Sequence, residues 1–446
     1  MRIFVHRRRC DKGFSLELAQ GAFPTAEIIG LSDERRKDML WTGDFLYSAK
    51  YDKSEHFFDG NTRESIRIRC RFLRKLETER AYRLIDRLAN GLDTFFGGQH
   101  IDFIMGNLID CYVQDVMERV AKQHEILYVS FVGHFFNGYT RISVRGELNK
   151  FPRVVSQQEI QSTLQEVLRI EYKPKFEANQ QKKYYDVIKI YIREIIKRNY
   201  FNIKKVVSRD PDNYHYGTVL EKNWHFKKVM DKNIEHYFEH MEDVRDKIEK
   251  NSKTVLLPLH LAPEATVEYW CDRVEFALYE ESILKIVSEA SKEVVLVIKE
   301  HPAMFLRRDL EFYRELKKYE NVHLIHPYDN SNELLEWIDN VAVYTGSVGV
   351  EALFRGKRVF TFTDNYYSDL HPNIYKIDKI DRSIFDYPVV DYSNEKFMSD
   401  LLQGMFQAKF YNNNNMFNSE MDKMSDALRV YVSERLASKN GKNQSL

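Results

Sequence analysis

Between Val294 and Phe362 four short runs rich in Val and Ile recur: Val294–Ile298, Val322–Ile325, Val341–Tyr344 and Arg358–Phe362, with helical patterns between them. Strands buried on both faces of a parallel sheet need no polar alternation, and these runs fit that description. Parallel strands joined by helices wind into an open α/β sheet, where ligands bind beyond the carboxyl ends of the strands. Two polar segments stand at such ends. Lys299-Glu300-His301-Pro302 follows one run, and Thr345-Gly346-Ser347-Val348-Gly349 follows another. The chemistry is therefore expected around His301 and Ser347.

A chain of 446 residues is too long for one ordinary domain, so two domains and an insertion are expected. The formal net charge is zero, which gives no global field to draw in nucleic acid or an acidic membrane. The local cluster His6-Arg7-Arg8-Arg9 reads as a solvated strand end or a phosphate contact. Cys10, Cys70, Cys111 and Cys271 show no paired spacing, which argues against zinc and disulfides and for a reducing cytoplasm. The opening MRIFVHRRR carries charge where a signal peptide needs an apolar core. No run approaches the roughly 18 apolar residues of a membrane span, so any membrane association is expected to be peripheral.

Met1–His6, Ala26–Leu31, Ile101–Met105 and Leu127–Phe131 read as strands of a first domain, residues 1–150. A long amphipathic pattern over Ile66–Leu92 reads as one helix, with Gly97-Gly98 barring continuation. A helix over Asp110–Lys122 completes a strand–helix–strand unit. Residues 151–250 are charged and helical, a connector or insertion. Residues 251–436 form the second domain, and 437–446 are a polar tail, with Asn412–Asn415 a loop.

In Thr345-Gly346-Ser347-Val348-Gly349, glycine lets a ligand approach the backbone. The first-turn amides of the following helix, with the positive end of its dipole, suit a phosphate. Glu351, one turn in, could hold a ribose. The bland alternative is a plain helix start with Glu351 matching the dipole. Pro302 holds His301 extended, which aims its imidazole over the strand ends. Lys299 adds a point charge, and the alternative for both is a solvated strand end. After the first strand of the same domain come His260 and Glu264, which would line the same crevice, or else be a packed histidine and a helix-start acid. In the first domain Gly106-Asn107, Asp110, Gly133-His134, Asn137-Gly138, Arg141, Arg145 and Glu147 are acceptor-side candidates. Asp110 or Glu147 is the expected catalytic carboxylate, with a cap and a surface pair as their plain alternatives. No GxSxG elbow, HExxH pair or ligand cluster appears in the sequence, so neither a serine triad nor a metal is expected.

Taken together, PLHLAPEATVEYW, VIKEHPAMFLRRDLEFYRELKKYENVHLIHP and VAVYTGSVGVEALFRGKRVFTF resemble the second half of the capsule polysaccharide biosynthesis family of bacterial glycosyltransferases. The resemblance covers about Lys253–Tyr367. It implies a GT-B fold, two Rossmann-like doubly wound domains facing a cleft, with the nucleotide-sugar donor in the C-terminal one. Related sialic acid and Kdo transferases also use a His-Pro and a Ser/Thr turn on the nucleotide phosphate. By that likeness Lys299, His301, Pro302, Thr345 to Gly349 and Glu351 bind the donor, His301 also serves catalysis, and a CMP-activated acid sugar such as CMP-Kdo is favoured. Here Ser-Val stands where several such enzymes have Ser-Ser or Ser-Thr. The resemblance further implies a metal-independent, cofactor-free enzyme at the inner face of the membrane, with a glycan or lipid-linked glycan as acceptor in the N-terminal domain and no nucleic acid partner. The alternatives are a CDP-glycerol-type glycerophosphotransferase and a non-catalytic GT-B scaffold.

Overall fold

The computed structural model describes residues 1–9, 13–172, 184–216, 232–249, 253–410 and 418–443. The chain divides into two compact units: Met1–Val154 with Asn202–Leu220 and Leu402–Leu446, and Val155–Phe201 with Glu221–Leu401. Cys10, much of the helical reading over Leu220–Lys250 and the Asn412–Asn415 loop lie outside the described residues.

In the first unit β1 (Arg2–Arg7), β2 (Glu27–Ser32), β3 (Leu40–Trp41), β4 (Phe103–Met105) and β5 (Leu127–Val129) form a parallel sheet in the order β3-β2-β1-β4-β5. Side chains on a strand alternate between faces, and both faces here are covered. Phe4, Leu31 and Ile104 pack under the helices Gly60–Arg69, Thr78–Gly98 and Tyr112–Gln123. Ile3, Val5, Phe103 and Met105 pack against Leu18 and Ala22 and against Met424, Leu428 and Val432 of the helix Asn418–Asn443. A small antiparallel sheet adds β6 (Phe131–Gly133), β7 (Tyr139–Ile142) and β14 (Phe406–Gln407). Gly133-His134 and Asn137-Gly138 thus belong to a hairpin turn, with Gly138 at φ +87°.

Two expectations are corrected here. The helical pattern over Ile66–Leu92 is interrupted: one helix ends at Arg69, a short turn covers Leu73–Lys75, and a second helix runs from Thr78 through Gly98. Cys70 and Leu76 are extended, which lets Phe72 and Leu73 reach the core. Gly91 sits inside the second helix, where a Cβ would lie 2.4 Å from Phe45. The C-terminal helix belongs to the first unit, not the second. Its apolar positions 424, 428 and 432 follow helical spacing, and spacing alone does not tell which core a stripe covers.

The second unit is a parallel sheet of β8 (Thr254–Pro258), β9 (Val295–Lys299), β10 (Val322–Ile325), β11 (Asn340–Val343), β12 (Arg358–Thr361) and β13 (Ile374–Lys376). Its order is β10-β9-β8-β11-β12-β13, which in the unit's own count is 3-2-1-4-5-6, the doubly wound dinucleotide-binding order. The central strands read VLLP, VLVIK and NVAV and are almost wholly buried, as the sequence pattern requires. Two doubly wound units in one chain make up the GT-B fold.

Candidate functional site

The order of the second sheet reverses between β8 and β11, the point beyond the strand ends where open α/β sheets bind ligands. His260 follows β8, His301 follows the neighbouring β9, and Thr345-Gly346-Ser347 follows β11. Side-chain packing brings them together. A Cβ on Gly346 would lie 3.2 Å from His260 Cε1, so the imidazole rests directly on the glycine. The Tyr367 hydroxyl donates to the Gly346 carbonyl at 3.0 Å, and a Cβ on Gly349 would sit 2.3 Å from that hydroxyl. Close approach therefore requires glycine at 349 and leaves little room for a side chain at 346. The Thr345 hydroxyl donates to the Thr266 carbonyl at 3.0 Å, which pins the turn from the β8 side.

The helix Ser347–Phe354 starts at Gly346, which has no side chain to cap it. Its first amides and the positive end of its dipole stand just past β11, with Ser347 and Val348 partly exposed, an arrangement that suits an anion. Burial pushes the Glu351 carboxyl above its ordinary range, with Arg355 and the Ser347 hydroxyl acting the other way. Only 8% exposed, Glu351 stands behind the turn.

His301 is set by its own loop. Its backbone is extended at φ −71° and ψ 130°, as the following proline demands, and its Nδ1 accepts the Ala303 amide at 3.1 Å. That bond leaves the proton on Nε2. Burial, with the charges of Lys299, Arg308 and Arg307, pushes the imidazole down to about 4. Burial, with His301 and Arg308, pushes His260 down to about 3. Both rings are neutral at pH 7, and His301 presents an N–H donor.

Beneath them lies a buried ion pair that the sequence analysis missed. Arg308 and Glu300 are each 1% exposed. Arg308 Nε donates to Glu300 Oε2 at 2.8 Å and its Nη2 to Oε1 at 3.2 Å. The Tyr313 hydroxyl donates to Oε2 at 2.7 Å. Two further bonds reach the site: the His301 amide donates to Glu300 Oε1 at 2.6 Å, and Arg308 Nη2 donates to the His260 carbonyl at 2.8 Å. Burial opposes the charge of Arg308, yet Glu300 raises its pKa above the usual guanidinium range.

Other sequence candidates take different places. Lys299 is buried, with its ammonium donating to the Glu300 carbonyl at 3.0 Å and the Pro327 carbonyl at 2.7 Å, so it ties strand ends together rather than facing the crevice. Pro302 opens the short turn Pro302–Met304. Glu264 precedes the helix Ala265–Glu268, and its carboxylate accepts the Thr266 hydroxyl at 2.7 Å. Glu147 closes its own loop, accepting the Val144 amide at 2.8 Å and the Arg145 amide at 2.7 Å. Arg145 pairs with Asp115 at 2.5 Å and Glu118 at 2.7 Å, not with Glu147.

In the first unit the sheet order reverses between β1 and β4. Arg8 follows β1, Asp110 follows β4, and their side chains meet at 2.6 Å with Asp110 still 35% exposed. Arg8 also donates to the Tyr214 hydroxyl at 2.9 Å, which donates to Asp33 at 2.6 Å. Burial alone would raise the Asp33 carboxyl, but His6, Tyr214 and Arg8 hold it below the ordinary range. Asp33 and Tyr214 carry no motif. The one sequence sign was an acid directly after a strand.

Among the described residues, His240, His326 and Asp329 bring metal-ligand atoms within 4.8 Å of one another. Asp329 already accepts the Met241 amide at 2.8 Å, and the two rings lie 31° apart in a near-stack, so helix capping and ring packing explain the group.

Residues 117–370 match the family described as capsule polysaccharide biosynthesis protein. No curated protein matches the chain. Among solved structures, Thermosulfurimonas dismutans KpsC, beta Kdo 2,7 transferase, is 10% identical over 91% of this chain and 89% of its own, at TM-score 0.35. The beta Kdo 2,4 transferase of the same organism's KpsC is 11% identical over 67% and 79%, at TM-score 0.28. The Methanocaldococcus jannaschii UDP-GlcNAc 2-epimerase is 12% identical over 97% and 100%, at TM-score 0.26. At these scores the likenesses carry no argument about the reaction of this chain.

Two predictions follow from the site's electrostatics. Arg308→Met should destabilise the protein by about 3–5 kcal/mol, because it strands a buried carboxylate, while Glu300→Gln/Arg308→Met should recover a large part; urea unfolding measures both, and equal losses would contradict the pairing. His260 and His301 have folded pKa values of about 3 and about 4, below the unfolded value of about 6.5. The unfolded state therefore binds protons first as pH falls, and stability present above about pH 6.5 should decline between pH 6.5 and 5, before carboxylates titrate. An unchanged urea midpoint across that window would contradict the neutral-histidine assignment.

Proposed function

The chain belongs to the capsule polysaccharide biosynthesis family, and from that premise we propose that it is a glycosyltransferase, moving a sugar from a nucleotide-sugar donor to a growing surface glycan. The observation that carries this reading is the meeting of His260, His301 and the Gly346-Ser347 turn at the switch point of the second sheet. The donor phosphate rests on the amides of Ser347 and Val348, with the Ser347 hydroxyl beside it. His301 donates its Nε2–H to a phosphate oxygen. As the sugar leaves, charge grows on that phosphate, and a fixed donor and a helix N-terminus stabilise it without rearranging. In this reading the helix and the histidine take the place a metal ion would fill. A CMP-activated acid sugar such as CMP-Kdo is the favoured donor, on the sequence resemblance over Lys253–Tyr367.

The acceptor, a glycan or lipid-linked glycan, is read onto the carboxyl edge of the first sheet. Asp110, partly exposed and paired with Arg8, would act as base or nucleophile there. Glu147 is dropped from that role, since two backbone amides occupy its carboxylate. The enzyme would work on the cytoplasmic side of the membrane; among the described residues no helix is long and apolar enough to cross it.

A thermal-shift panel of CMP, CDP, UDP and GDP tests the donor. CMP should raise the melting temperature most. His301→Ala and Ser347→Ala should each weaken nucleotide binding about tenfold, roughly 1.4 kcal/mol, with the unliganded melting temperature moving by only a few degrees. Failure of every nucleotide to bind, or a large loss of stability with binding intact, would sink the assignment. Stabilisation by CDP alone, with turnover of CDP-glycerol, would move the protein to glycerophosphotransfer.

A further inference from the structure

The helix Tyr184–Val207 is apolar on the wrong side for a soluble helix. Its inward face carries Tyr191, Glu194 and Phe201, all buried, with Tyr191 in the core of the second unit. Its outward face carries Tyr185, Ile192, Ile196, Ile203 and Val206, between 53% and 78% exposed. The spacing of these residues puts them in one stripe about 80° wide at 100° per residue. The helix holds six basic residues and two acidic ones. Glu194 is buried under Lys197 and Arg193, at 3.1 and 3.9 Å, so Asp186 is the one exposed acid. Along one flank of the stripe run Lys189, Arg193 and Lys197, spaced by four, with the Lys189 ammonium over the Tyr185 ring.

We propose that this helix lies on an anionic lipid surface, with the stripe at the acyl boundary and the basic row among the headgroups. A second copy of the chain would bring positive charge to positive charge, whereas acidic phospholipid meets both the apolar stripe and the cationic flank. Such docking would hold the crevice of the second unit close to a membrane-bound acceptor. That consequence rests on the transferase reading, but the docking itself does not.

The test is sedimentation of the full chain with extruded vesicles of phosphatidylcholine alone or with about 25 mol% phosphatidylglycerol. The expected result is binding to the anionic vesicles that falls several-fold in about 0.5 M salt and at least about tenfold in Ile196→Glu/Ile203→Glu. Wild-type protein that stays in the supernatant, or a variant that binds as well as wild type, would overturn the proposal. So would a dimer in light scattering that the variant splits, because the stripe would then cover a second copy. Nucleotide thermal shifts on the same variant should match wild type, so a failed lipid result leaves the donor assignment standing, and the reverse.

Discussion

The two loops that carry His260 and His301 depend on the Glu300–Arg308 pair. Two charges in a site closed to water are costly unless geometry and extra hydrogen bonds compensate. Here the guanidinium grips both carboxylate oxygens, and Tyr313 and the His301 amide complete the set. The arginine then reaches the His260 carbonyl, so one buried pair ties the ends of β8 and β9 together. Apolar residues of similar volume could fill the same space. They could not fix two loop backbones at once.

The consequence is chemical. Because the loops are held, His301 keeps its Nδ1 on the Ala303 amide and turns Nε2–H outward. Because the surroundings are dry and already positive, the ring stays neutral. The positive character that an anion needs comes instead from the start of the helix Ser347–Phe354, whose glycine cap offers no competing side chain. The glycines serve close packing as much as ligand access: His260 lies on one and the Tyr367 hydroxyl against the other.

The second unit was legible in the sequence because its strands are buried on both faces, and a run such as VLVIK admits few other readings. The polar segments after β9 and β11 were found for the same reason, since strand ends are where the chain must turn. Arg308 carries no sign in the sequence, because the pair Arg307-Arg308 looks like surface charge until the fold returns Arg308 to the core. Lys299 differs in the opposite sense: a lysine at a strand end looks solvent-facing, yet two carbonyls draw it in. Glu147 shows how little spacing says about a carboxylate, whose oxygens bind a neighbouring amide as readily as a substrate. An amphipathic stripe does not name the core that it covers, so the sequence alone puts the C-terminal helix with residues 251–436, whereas it packs in the first unit.

A crystal structure of the protein with CMP bears most directly on the central claim. The phosphate should lie at the start of the helix Ser347–Phe354, within hydrogen-bonding distance of the Ser347 and Val348 amides and of His301 Nε2. A crevice left empty beside a nucleotide bound elsewhere, or a His301 ring turned inward with its Nε2 on the protein, would contradict it.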